Sequence, residues 1–74
     1  MSTDGAQSYF APVTPAGTVV IYGAGAMLGE LIAAPTKSEA IQNLLKDAAH
    51  MPYKTWENFE KRGYTIQELK GWAP

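Results

Sequence analysis

A mostly helical chain is what the residues predict, and three observations carry that expectation. Thr36 and Glu39 stand three apart directly after Pro35, the spacing of a capping box, in which a hydroxyl accepts from a free helix amide. Ala40, Ile41, Leu44, Leu45, Ala48 and Ala49 then recur at helical intervals, with Gln42, Asn43, Lys46 and Asp47 assigned to the opposite face. Thr65 and Glu68 repeat the capping spacing near the C-terminus. Residues 36 to 74 therefore read as a unit of two or three helices. An apolar segment over residues 17 to 35 precedes it, and residues 1 to 16 form an extended arm.

Within the C-terminal unit, Pro52 ends the first helix and can open the next, Tyr53 to Arg62. Tyr53, Trp56 and Phe59 share one face of that second helix. Lys61 and Arg62 suit its negative C-terminal end, and Gly63 closes it. A third helix starts after Tyr64, which is spaced to staple onto Leu69, and runs to Trp72. In so small a unit part of the aromatic surface, Trp56 and Trp72 included, is expected to meet a partner.

The apolar segment carries a single charge, Glu30, and admits two readings. As one helix, residues 17 to 34 would be about 27 Å long at 1.5 Å per residue, close to the ~30 Å hydrocarbon core of a bilayer. Gly25 and Gly29 then form the small-residue spacing that lets two membrane helices approach. Glu30 would have to face protein or water, because an acid inside a span costs roughly 2.5 to 3.5 kcal/mol. In the other reading Thr18 to Tyr22 is a strand, the glycines make a turn, and residues 26 to 33 form a helix or second strand. Such a hairpin is barely stable alone and needs something to pair with. Both readings make Gly25, Gly29 and Glu30 partner contacts. The arm adds two more candidates, since Pro12, Pro15 and Gly17 keep it open while the adjacent Tyr9 and Phe10 suit docking.

Composition narrows the function classes. A chain of 74 residues buries only about 60% of its unfolded surface, so stability calls for disulfides, metals or partners. There is no cysteine and only one histidine, His50, which leaves partners. Hydrophobic residues at 46% against 18% charged exclude a wholly disordered chain. A net charge of −1 gives no bulk attraction to nucleic acid or anionic membrane. All six basic side chains lie between Lys37 and Lys70, whereas residues 1 to 35 hold only Asp4 and Glu30. The opening Met-Ser-Thr-Asp lacks the basic region of a secretory signal. No catalytic or metal site is expected: no cysteine or carboxylate pair accompanies His50, and Asp47 three residues before it would need further ligands from elsewhere.

Two stretches resemble known families. Thr18 to Tyr22 followed by Gly23, Gly25 and Gly29 resembles the strand, turn and helix that open dinucleotide-binding Rossmann domains, over about fifteen residues. Leu28 and Ala26 stand where the two common glycine spacings require glycine, and the chain has no room for a doubly wound sheet, so no cofactor is expected. Leu44 to Gly63 carries Met51-Pro52-Tyr53-Lys54-Thr55, Asn58, Glu60 and Gly63, and it resembles the helix-turn-helix of phage-repressor-type (Cro/CI-like) regulators. That resemblance implies DNA binding, with the helix near Pro52 in the major groove and Lys54, Thr55 and Asn58 toward bases or phosphates. Residues 36 to 74 hold six basic and five acidic side chains, which leaves little net attraction for phosphate.

The leading expectation is a non-catalytic small structural or accessory subunit. It would be anchored through residues 17 to 34 in a membrane complex or a virus particle, and its partners are other protein subunits, copies of itself included. The alternative is a small helix-turn-helix DNA-binding regulator.

Overall fold

The computed structural model describes residues 8–74. It contains strand β1 (Ser8–Val13), helix α1 (Lys37–Asp47), helix α2 (Trp56–Lys61) and strand β2 (Thr65–Lys70). Residues 1 to 7 of the expected arm, with its Met-Ser-Thr-Asp start, lie outside the described residues. β1 and β2 pair antiparallel, with Ser8 opposite Lys70 and Val13 opposite Thr65. The architecture is thus α+β, which corrects the expectation of a mostly helical chain.

The largest single correction is the third helix, which is β2. The capping spacing of Thr65 and Glu68 is real, yet a helix of one or two turns gains too few hydrogen bonds to offset its nucleation. Pairing with β1 supplies a full ladder instead. Tyr64, expected to staple onto Leu69, sets its ring edge-on against Phe59 with centroids 5.0 Å apart.

α1 begins where its capping box places it. The Thr36 hydroxyl accepts from the Glu39 amide at 3.1 Å and donates to the Glu39 carboxylate at 3.1 Å. Ala40, Leu44 and Ala48 are buried along its inner face. α2 is shorter than the expected Tyr53 to Arg62 because Thr55, not Pro52, provides its cap, accepting from the Asn58 amide. The aromatic face nevertheless forms. Tyr53 meets Phe59 edge-on at 5.3 Å, Trp56 stacks on Phe59 at 6.4 Å, and the Arg62 guanidinium lies 3.9 Å from the Tyr53 ring centre.

The apolar segment is not a helix. No helix of the described residues is long and apolar enough to cross a membrane, so the reading of residues 17 to 34 as a membrane helix is corrected. These residues run out and back as a ribbon stitched by isolated bridges, Val13 with Val19, Tyr22 with Leu31, and Phe10 with Ala34. The physical cause is local. The β-branched run Thr18-Val19-Val20-Ile21 resists helical rotamers, and Gly29 at φ 80° takes a conformation a helix excludes. The strand-and-turn reading is the nearer one, with the second half returning as a bridge at Leu31 and forming no helix. The pairing it required is supplied by β1 of the same chain. The Phe10 amide donates to the Ala34 carbonyl at 2.7 Å, the Ala34 amide donates to the Phe10 carbonyl at 3.0 Å, and the Val20 amide donates to the Pro12 carbonyl at 2.8 Å.

The core gathers between these pieces. Ile32 of the ribbon, Leu44 and Ala48 of α1 and its C-cap, and Phe59 of α2 are buried together, with Val20, Met27, Met51, Trp56 and Tyr64 packed on them. The Asn43 side-chain amide donates to the Ile32 carbonyl at 3.0 Å and ties α1 to the ribbon. Pro12 is fully buried within β1 and stands opposite Ile66, a position where its missing N–H removes no bond of the ladder.

Candidate functional site: a loop held by Asp47

The ribbon's turn, residues 23 to 29, closes over the C-terminal end of α1, and one residue organises it. Asp47 accepts from four successive amides: Ala24 to Oδ2 at 3.1 Å, Gly25 and Met27 to Oδ1 at 2.7 and 3.0 Å, and Ala26 to the main-chain carbonyl at 2.9 Å. A carboxylate in the last turn of a helix normally sits against the negative end of the dipole. Here the converging N–H groups form an anion-binding concavity that reverses the balance. Asp47 is only 7% exposed. Burial pushes its carboxyl up, but the donations from Ala24, Gly25 and Met27 and the charge of His50 outweigh burial and hold it below the ordinary aspartate value.

The geometry explains the glycines that resembled a dinucleotide loop. A Cβ on Gly25 would run into the Asp47 carbonyl oxygen and come within 3.0 Å of His50 Cε1. A Cβ on Gly23 would meet the Met27 carbonyl oxygen and lie 2.7 Å from Asp47 Oδ1. The loop is glycine-rich so that its backbone can approach Asp47. The amides that would cradle a phosphate already bind an internal carboxylate. Gly25→Ala is therefore expected to destabilise the fold by about 2 kcal/mol, or roughly 10 °C in Tm. Thermal unfolding followed by circular dichroism checks this, and an unchanged Tm would contradict the close approach.

Beside Asp47 lies a pocket of about 240 Å³ lined mainly by Val20, Leu44, Ala48, Met51, Phe59 and Tyr64, with Asp47 and His50 at its polar side. No group of three or more His, Cys, Asp or Glu side chains suited to a metal occurs among the described residues. No family model, characterised protein or solved structure matches the chain. No helix of the described residues is long and apolar enough to cross a membrane, which corrects the expected single-pass membrane anchor, and nothing in the structure supports a structural or virion role.

The residues singled out from the sequence fall in separate places. Gly25 and Gly29 belong to the loop over Asp47, Gly25 packed against it, and the exposed Glu30 directly follows the loop. Tyr9 and Trp72 meet each other edge-on at 5.5 Å across the ends of the two strands, and Lys37 Nζ lies 5.9 Å from the centre of the Phe10 ring. Trp56 is half-buried on Phe59. Thr55 and Asn58 form the cap of α2, and Lys54 Nζ donates to the Ala49 carbonyl at 3.0 Å. Asp47, assigned from the sequence to the polar face of α1, is instead buried on its inner face beside Leu44 and Ala48, and Leu28 was not singled out. A signal for Asp47 was present: it stands seven residues after Ala40 and three after Leu44, on the buried stripe of α1. Leu28 had no such signal, since it looked like one more member of an apolar run, yet it is 76% exposed.

Proposed function

We propose that this chain is a non-catalytic accessory subunit that binds another protein of a larger assembly through the tip of the loop held by Asp47. The observation that supports this reading is the exposure of Leu28, at 76%, which bridges Gly23, and of Tyr22, at 54%, which precedes Gly23. A lone exposed leucine is ordinary. This one sits on a loop whose backbone is already ordered by Asp47, so a partner gains the apolar contact without bearing the entropy of ordering the loop. The partner is a protein with an apolar recess for the Leu28 side chain and a cationic group near the exposed Glu30.

A photo-reactive leucine analogue at position 28 tests the reading. The expected result is a crosslink to one defined protein, followed by at least a tenfold weaker Kd for Leu28→Ser with that protein, about 1.4 kcal/mol, at unchanged Tm. An unchanged Kd for Leu28→Ser would overturn it. Salt-dependent binding of duplex DNA that is lost in Lys54→Ala would replace it with the regulator reading.

A further inference from the structure

Among the described residues, β2 is bonded on one side only. Phe10 and Pro12 direct their main-chain groups to the ribbon, through the bonds to Ala34 and Val20. Successive residues of a strand direct those groups to opposite sides, so Tyr9, Ala11 and Val13 face β2, where they stand opposite Leu69, Gln67 and Thr65. The N–H and C=O groups of Ile66, Glu68 and Lys70 are left on the outer edge, with no main-chain partner among the described residues. Neither proline nor a bulge interrupts this edge, two of the usual devices that block strand addition.

The side chains on the edge say what fits it. Glu68 and Lys70 are exposed and lie two apart, so both project from one face of the strand. When two identical strands pair antiparallel about a two-fold axis, the contact is self-complementary. With Leu69 at the axis, each Glu68 stands opposite Lys70 of the second copy, and both occupy hydrogen-bonded positions. The register centred on Glu68 sets carboxylate against carboxylate, and the one centred on Gln67 sets Glu68 against Ile66. Only the first forms ion pairs, and opposed like charges disfavour the second.

We propose that β2 pairs antiparallel with β2 of a second copy in the Glu68–Lys70 register, joining the two sheets into one of order β1-β2-β2-β1. Few residues pair in this register, so the dimer belongs to the weak, concentration-dependent class. It rests on different residues from the Leu28 contact and stands or falls separately.

Sedimentation equilibrium of the intact chain from micromolar to millimolar concentration is the test. The expected result is a reversible monomer–dimer equilibrium, with amide exchange at Glu68 and Lys70 slowing as concentration rises while that at Leu28 does not. Glu68→Lys is expected to weaken dimerisation at least tenfold with an unchanged far-ultraviolet spectrum, and adding Lys70→Glu to it is expected to restore the dimer. A monomer throughout the range overturns the proposal, as does a dimer that Glu68→Lys leaves intact or that the charge swap fails to restore.

Discussion

Phe59→Ala is expected to lose about 3 to 5 kcal/mol, comparable with the entire stability of a chain this small, which at 0.05 to 0.15 kcal/mol per residue is roughly 4 to 11 kcal/mol. Phe59 is 1% exposed and touches three aromatic rings, Tyr53, Trp56 and Tyr64. It is also the only residue of α2 in the buried cluster, which otherwise consists of Ile32, Leu44 and Ala48. Removing its ring leaves a void that three neighbours rooted in different segments cannot fill together. Urea unfolding followed by near-ultraviolet circular dichroism should show a transition displaced to low denaturant or absent in water. Phe59→Leu, which retains most of the volume, should lose less than half as much. A Phe59→Ala variant that unfolds with the parent would mean that the aromatic cluster is not the core.

Asp47→Ala is expected to lose about 2 to 4 kcal/mol, because it removes an ionised acceptor from three amides and leaves part-buried N–H groups without a partner. Asp47→Asn should be intermediate, since its side-chain oxygen still accepts while its NH₂ group faces other donors. The pH dependence carries a sign. The folded-state pKa of Asp47 is depressed, so its contribution is fully present above the ordinary aspartate value and is lost as pH falls below about 4 toward the folded pKa. Parent stability should therefore decline on that acidic limb, and the decline should be smaller in Asp47→Asn. Amide resonances of Ala24, Gly25 and Met27 should titrate with the carboxylate. Identical acid limbs in parent and variant, or an Asp47→Ala variant with the parent's Tm, would remove Asp47 from the role assigned here.

Two capping signals show why part of this fold is legible in the residues. Thr36 with Glu39 and Thr65 with Glu68 are equal in spacing, yet one pair opens α1 and the other lies in β2. The residues downstream of each pair separate them. After Thr36 an apolar stripe continues through Ala48, long enough for a helix to bury a face. After Thr65 only Ile66 and Leu69 are apolar before Gly71. Asp47 was readable by the same argument, since its position on the stripe of α1 makes it buried, and a buried carboxylate requires donors. The donors themselves were not readable, because they come from a loop some twenty residues earlier in the chain. The exposure of Leu28 results from that same closure, which turns the loop's amides inward and its tip outward.

By itself the sequence determined the local elements: the cap of α1 and its buried Ala40, Leu44 and Ala48, the cluster of Tyr53, Trp56 and Phe59, and the turn at Gly63, which takes φ 102°. Each depends on residues within a turn or two of one another, where propensity and spacing decide. Only the tertiary structure decided that Ser8 to Val13 pairs with Thr65 to Lys70, that residues 17 to 34 fold back on β1, and that the Gly23 to Gly29 loop closes on Asp47. Those choices join segments far apart in the chain, and their stability comes from main-chain groups and buried surface that neither segment possesses until both are in place.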